Sequence, residues 1–265
     1  MIVRSFHINY EDILMFGLQN FRGSCWVNAT LQTIFRFPDV QARYTSGTFD
    51  RSNKIDESLC TIWNSKGTVG LRDFFESVKT EVMPAGEGIG DSHELLTYLC
   101  DKLPFLDKLC RFSIANTIEC VSCHDKSTKQ DSTINFTLLE GRNQPISTCI
   151  EKTVQPHIIS DWTCEKCKQK GAKMQQLIGS FPKYMVFHLS LDSNVNYSSI
   201  LVLNKRKYAL VSVVCYNGSH WWTYGRDGPG SSWFILNDLN VVDHGPNQFP
   251  ISNTTRMLIY YCVNE

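Results

Sequence analysis

Apolar positions change their rhythm along this chain. In roughly the first 110 residues they recur at helical spacing. Val27, Leu31, Ile34 and Phe35 share one face of a helix that begins after Ser24 and that Pro38 stops. Leu71, Phe74, Phe75, Val78 and Val82 form a second stripe of the same period. A third helix is predicted to start at Asp91 as N-cap, with Glu94 three residues on in a capping-box pattern. Leu95, Leu96, Leu99 and Leu103 supply its buried face and Pro104 its end. Farther on, short β-rich runs take over: Thr133 to Leu139, Tyr184 to Leu191, Tyr208 to Tyr216, Trp221 to Tyr224, Trp233 to Leu236 and Met257 to Val263. Gly, Asn, Ser and Asp separate several of them, and Asn217-Gly218-Ser219 reads as a turn between two strands. Helices first and strands later predict an α+β fold, not alternating βαβ units.

Composition narrows the function classes. Lysine plus arginine equals aspartate plus glutamate at 26 each, with no basic stripe, so gripping a phosphate backbone is disfavoured and no nucleic-acid partner is expected. No apolar run reaches bilayer length, and Met1 to Tyr10 lacks the apolar core of a signal peptide. The expectation is a soluble chain without a membrane partner, in a reducing compartment, cytoplasmic or nuclear. There, eleven cysteines read as core residues, metal ligands or nucleophiles and not as disulfides.

Four of them carry a metal signal. Cys120-Val-Ser-Cys123 and Cys164-Glu-Lys-Cys167 are two CxxC knuckles with 40 residues between them. Two such knuckles close a tetrahedral four-thiolate site, so a structural Zn²⁺ is expected, tying the ends of a β excursion that includes Thr133 to Leu139. His124 completes the CxxCH string of haem attachment, but that chemistry leaves the second knuckle without a role.

A fifth cysteine is placed for catalysis. Cys25 opens the first predicted helix, where unpaired amides favour the thiolate. Asn28-Ala29-Thr30 is a glycosylation sequon only three residues away, where a glycan would obstruct such chemistry. A nucleophile of this kind needs an imidazole. Among seven histidines, His220 at the edge of a strand pair is preferred, with His188 in an alternating strand and His93 on the capped helix as competitors.

These residues carry a family resemblance. Gly17-Leu18-Gln19-Asn20-Phe21-Arg22-Gly23-Ser24-Cys25-Trp26-Val27-Asn28-Ala29-Thr30-Leu31-Gln32 resembles the Cys box of ubiquitin-specific proteases. Ser219-His220-Trp221-Trp222-Thr223-Tyr224, followed by Trp233 and Leu236-Asn237-Asp238-Leu239-Asn240-Val241, resembles their His box. Asp91-Ser92-His93-Glu94-Leu95-Leu96 looks like the family's QDAHEFL helix, and the two knuckles like its zinc-bearing fingers. Phe181 to Leu189 is similar to the strand that follows the second knuckle. The boxes occur in the family's order from about residue 15 to the end.

The resemblance implies a papain-like cysteine protease in one catalytic domain, 1–265. A helical thumb would span about 1–110, zinc-ribbon fingers about 111–190, and a β palm carrying the His box about 176–265. It makes Cys25 the nucleophile, His220 its base, Asn237 the orienting group ahead of Asp238, and Asn20 the oxyanion donor. Asp91 and Glu94 would meet an arginine in the substrate's tail, and Trp221 would flank the groove for Gly-Gly. The implied activity is that of a thiol-dependent ubiquitinyl hydrolase, acting after the C-terminal Gly-Gly of ubiquitin on ubiquitinated proteins. SUMO, the NEDD-type and the interferon-induced modifiers stay open as substrates, and there is room for an activating partner.

The match departs in places. Arg22 stands where the family has glycine, Trp26-Val27 replaces Tyr-Met, and only sixteen residues separate Leu191 from Tyr208. This suggests a compact, diverged member, viral origin included. The alternatives are a viral papain-like polyprotein protease with secondary deubiquitinase activity, and a catalytically inactive modifier-binding scaffold.

Overall fold

The computed structural model describes residues 15–83, 88–138, 143–190, 194–246 and 253–263. Met1 to Tyr10, Leu139 and Leu191 lie outside the described residues.

Among the described residues, six helices precede the first strand: α1 (Cys25–Ile34), α2 (Pro38–Thr45), α3 (Lys54–Asn64), α4 (Leu71–Val82), α5 (Ser92–Lys102) and α6 (Pro104–Cys110). The stripe of Leu71, Phe74, Phe75 and Val78 is the buried face of α4, as its spacing predicts. Asp91 caps α5, its Oδ1 accepting the backbone N–H groups of His93 at 2.6 Å and Glu94 at 3.3 Å. Pro38 and Pro104 each occupy the start of a new helix, where a missing N–H costs nothing. Each proline therefore opens an element besides closing one.

Helix α1 differs from the one-faced helix expected: all ten of its residues are buried. It is wedged between α5 and the larger sheet, so its polar side chains need internal partners. Thr30 Oγ1 lies 2.7 Å from Ser92 Oγ on α5. Across the other face, Thr223 Oγ1 donates to the Ala29 carbonyl at 2.9 Å.

The strands divide between two main sheets. β1 (Phe112–Cys120), β2 (Lys126–Thr133), β5 (His157–Thr163) and β6 (Lys170–Ile178) form an antiparallel sheet in the order β2-β1-β6-β5. The larger sheet takes β3 (Asn135–Leu138), β7 (Tyr184–Leu189), β9 (Ile200–Leu203), β10 (Arg206–Tyr216), β11 (Trp221–Gly225), β12 (Trp233–Asn237), β13 (Asn240–Gly245) and β14 (Thr255–Cys262). Its order is β13-β12-β11-β10-β14-β7-β3, with β9 beside β10. A short ladder of β4 (Gln144–Pro145) and β8 (Val195–Asn196) adjoins α7 (Ile146–Val154).

The segment between the knuckles is not one β excursion. After β2 the chain returns to the larger sheet, where β3 pairs in parallel with β7 from Asn135↔Val186 to Leu138↔Leu189. Phe136 and Leu138 are buried there, an apolar burial that the exposed smaller sheet does not offer. Helices and larger sheet are pinned together at Asp39, whose carboxylate takes Lys183 Nζ and Tyr184 Oη, both at 2.8 Å. No helix among the described residues is long and apolar enough to cross a membrane.

Candidate active site

The loop before α1 is folded by two side chains. Asn20 Oδ1 accepts the backbone N–H groups of Gly23 and Ser24, both at 3.1 Å, and Ser24 Oγ accepts that of Phe21 at 2.8 Å. The turn requires left-handed backbone at Arg22 (φ 49°) and Gly23 (φ 100°). Arg22 thus holds a conformation that glycine adopts without strain. The loop delivers Cys25 to the first position of α1, 1% exposed.

Helix amides do not win at this sulfur. Burial pushes the Cys25 thiol above its usual pKa. The backbone N–H groups of Trp221, Trp26 and Cys25 itself pull it down, while the charge of Asp238 adds to the rise. The thiolate expected from the helix terminus is therefore not favoured at rest, and a base must take the proton.

A candidate base comes from far along the chain. Asn217 Oδ1 accepts the N–H groups of Ser219 at 3.0 Å and His220 at 2.9 Å, and Gly218 takes φ 99°. This closes the predicted turn and presents His220 just before β11. Its Nε2 lies 2.7 Å from Asn237 Oδ1 at the end of β12, the neighbouring strand. With the amide oxygen accepting, Nε2 carries the proton and Nδ1 is the basic nitrogen. Trp221, the next residue, gives its backbone N–H to the Cys25 sulfur, so the chain at His220 passes beside the thiol.

Asp238 takes a different place from Asn237. Its Oδ2 is 3.7 Å from His220 Nε2 but accepts Asn20 Nδ2 at 2.9 Å, while Oδ1 accepts Asn28 Nδ2 at 2.7 Å. Its backbone oxygen takes Leu18 N–H at 2.8 Å. The turn at Asp238-Leu239 is thus bound to the segment that leads into Cys25.

The rival histidines are occupied elsewhere. His93 and His188 stack on each other at 4.1 Å and 11°, and His93 Nε2 sits 2.6 Å from Asn135 Nδ2. His188, in the alternating strand, thus meets the imidazole of α5. Burial lowers both pKa values, that of His93 to about 4. Glu94 is exposed beside the capping carboxylate of Asp91. The Trp221 ring is 4% exposed and stacks on Tyr216 at 4.5 Å.

The four knuckle cysteines converge, with all four sulfurs within 4.8 Å of one another. Cys120–Cys167 and Cys123–Cys164 are 3.6 and 3.7 Å apart. Zn–S bonds of about 2.3 Å in a tetrahedron put sulfurs about 3.8 Å apart, so the set fits zinc as it stands. Both knuckles make the same turn. His124 N bonds to Cys120 O and Lys168 N to Cys164 O, with His124 at φ 57° and Lys168 at φ 60°. Backbone N–H groups of Cys123 and Ser122 pull the Cys120 thiol down to about 6, while burial and the neighbouring thiols push Cys123 up to about 12, so without a metal the cluster shares protons.

With this geometry in hand, the family model described as "Ubiquitin carboxyl-terminal hydrolase" matches residues 16–260. The chain belongs to the ubiquitin carboxyl-terminal hydrolase family. Within it, the "Probable ubiquitin carboxyl-terminal hydrolase 8" of Schizosaccharomyces pombe is 22% identical over 92% of this chain. The alignment covers 64% of that relative, so this hydrolase-family chain spans less than two thirds of its length. The fold is shared with Ubp8 structures at 15% identity. One is the SAGA DUB module of Ubp8, Sgf11, Sus1 and Sgf73 bound to monoubiquitin (TM-score 0.75, 94% of this chain, 69% of that one). Another is the same module bound to ubiquitin aldehyde (TM-score 0.75, 70% of that chain). A yeast module with altered Sgf73 gives 0.76. These relatives are cellular, and a viral origin gains no support from them.

Sequence reasoning passed over Asn28 and Gly17. Asn28 appeared only as part of a sequon and a motif string. Gly17 matters because a Cβ there would lie 2.5 Å from Leu239 O, a contact across 222 residues of sequence that no local pattern announces.

Proposed function

We propose that this chain is a deubiquitinating cysteine protease that hydrolyses the (iso)peptide bond after the C-terminal Gly-Gly of ubiquitin. The observation that carries the reading is a histidine paired to Asn237 at 2.7 Å, whose next residue, Trp221, gives its backbone N–H to Cys25 at the head of a buried helix. The names of the relatives agree with it, as do the neighbours bound to monoubiquitin and ubiquitin aldehyde.

In this reading His220 Nδ1 takes the thiol proton as Cys25 attacks the glycine carbonyl carbon. Burial raises the thiol pKa, so the imidazole is needed to take the proton. Asn237 holds the ring and its Nε2–H tautomer. The second Nδ2–H of Asn20, the first being held by Asp238, is the donor for the oxyanion that forms. His220 then protonates the leaving lysine amine. Water, deprotonated by the same imidazole, cleaves the thioester and frees the modifier.

Asp91 and Glu94 are proposed to meet a basic residue of the modifier's tail, and Trp221, braced on Tyr216, to wall the Gly-Gly groove. Zn²⁺ bound by Cys120, Cys123, Cys164 and Cys167 would tie β1 to the turn between β5 and β6. Its role is structural. Ubiquitinated proteins of the cytoplasm or nucleus are the proposed substrates. The solved relatives are multi-chain modules, which favours an activating partner.

The test uses ubiquitin, SUMO, the NEDD-type and the interferon-induced modifiers, each with a C-terminal thiol-reactive warhead. Covalent labelling by ubiquitin, lost in Cys25→Ala, is expected. No labelling by any of the four would return the chain to a non-catalytic binding module.

A further inference from the structure

We propose that Asn28 is a positioning residue, a buried amide that clamps the Asp238 carboxylate to the Leu18–Gln19 backbone and so keeps Asn20 and His220 in register. The inference deepens the hydrolase reading and rests on it. Asn28 stands one turn into α1, three residues after Cys25, and is 2% exposed. It has no surface from which to touch substrate.

Its Nδ2 faces three acceptors: Asp238 Oδ1 at 2.7 Å, and the Leu18 and Gln19 carbonyls, both at 3.2 Å. Turning the amide over would set its oxygen against all three, so the orientation is fixed by chemistry. The consequence is that Asn28 Oδ1 is buried without a partner. A side chain needed only for packing would not carry this cost, which an apolar residue of the same shape avoids.

What the clamp achieves is seen at the other carboxylate oxygen. Asp238 Oδ2 accepts Asn20 Nδ2 at 2.9 Å and sits 3.7 Å from His220 Nε2. With Oδ1 held by Asn28, Oδ2 stays with Asn20 and the imidazole keeps Asn237. Without the clamp, Oδ1 loses its donor and the carboxylate is free to swing onto His220 Nε2. Asn20 would then lose the bond that aims it, and the imidazole its neutral partner. One side chain from α1 thereby decides which of two adjacent residues the histidine uses.

The experiment compares Asn28→Ala, Asn28→Leu and Asn28→Asp with wild type on a fluorogenic ubiquitin C-terminal amide. Active sites are counted by covalent ubiquitin labelling, so unfolded protein does not enter the rate. For Ala and Leu, kcat per labelled site is expected to fall roughly tenfold to a hundredfold, with KM changed less than about twofold. Asn28→Asp keeps the shape but puts an oxygen 2.7 Å from Asp238, and two carboxyls so placed must share a proton. Its activity relative to wild type is expected to rise about tenfold between pH 8 and pH 5.5, while the ratios for Ala and Leu stay flat. A packing role would lower thermal stability but leave kcat per labelled site within twofold and the Asp ratio flat with pH, and either result overturns the proposal. A wild type that neither labels nor turns over would remove the hydrolase reading and this inference with it. An active wild type with indifferent Asn28 variants removes this inference alone.

Discussion

Gly17→Ala tests whether the two ends of the chain must touch for the site to work. An added Cβ would lie 2.5 Å from Leu239 O, 2.6 Å from its Cα and 2.7 Å from its carbonyl carbon. All three are backbone atoms, so no side chain can swing away. Ordinary contact begins near 3.4 Å, which requires the Asp238-Leu239 turn and the 17–20 segment to part by about 0.9 Å. The bond from Leu18 N–H to Asp238 O, now 2.8 Å, would be stretched beyond use. Overpacking of about 1–3 kcal/mol plus a lost hydrogen bond of about 1 kcal/mol predicts destabilisation of roughly 2–4 kcal/mol. The larger effect falls on rate. Asn237 and Asp238 ride on that turn, and a displacement near 1 Å costs about a hundredfold in kcat/KM. The assay is urea unfolding beside steady-state cleavage of a ubiquitin C-terminal amide. Gly228→Ala is the control, because nothing lies within 4 Å of its Cβ position and the change should stay within about 0.5 kcal/mol. Gly17→Ala protein that matches wild type within twofold in kcat/KM and about 0.5 kcal/mol in stability would refute the reasoning.

Three further outcomes are expected. Metal analysis should find one zinc per chain, and chelation should unfold the β1–β2–β5–β6 sheet, whose β2 is exposed along nearly its whole length; retention of that sheet's amide protection without metal would count against a structural zinc. Asp238→Ala should lower kcat at least as much as Asn237→Ala, since it releases Asn20 and Asn28 together whereas Asn237 holds only the ring; a near-neutral Asp238→Ala would contradict this. The stacked His93 and His188 are held neutral by burial, the charge of Asp91 opposing the shift in both, that of Arg256 adding to it at His188, and Asn135 bonding to His93. The unfolded chain binds the extra proton below about pH 6.5, so stability falls with acid, by on the order of 2 kcal/mol at pH 5 for His93 alone. Urea midpoints at pH 7.5 and 5 should diverge less in His93→Gln than in wild type, and equal divergence would clear His93 of the effect.

What the sequence discloses depends on what each segment buries. The stripe from Leu71 to Val82 and the strands at 184–189 and 208–216 fill apolar cores, so their periodicity or apolar runs report them directly. Strand β2, Lys-Ser-Thr-Lys-Gln-Asp-Ser-Thr, is exposed almost throughout and presents no alternation to read. Its place is set by hydrogen bonds to β1 and, in the proposed reading, by a metal at the sheet's end. The same division runs through the site. Cys25 and the knuckle cysteines stand out by residue type and spacing, whereas His220 is singled out from seven histidines only by the family resemblance. Asn28 does not, because an asparagine is ordinary in sequence and becomes distinctive only when three acceptors and an orphaned oxygen surround it. The choice between Asn237 and Asp238 is likewise undecidable from a string in which both stand beside each other. In the fold the two part at the left-handed turn at Asp238, φ 52°, with Asn237 bonded to His220 and Asp238 to the Cys25 loop. Residues defined by reactivity are thus visible in one dimension, whereas residues defined by whom they hold require the fold. The second kind are where substitutions will most often alter rate without touching substrate.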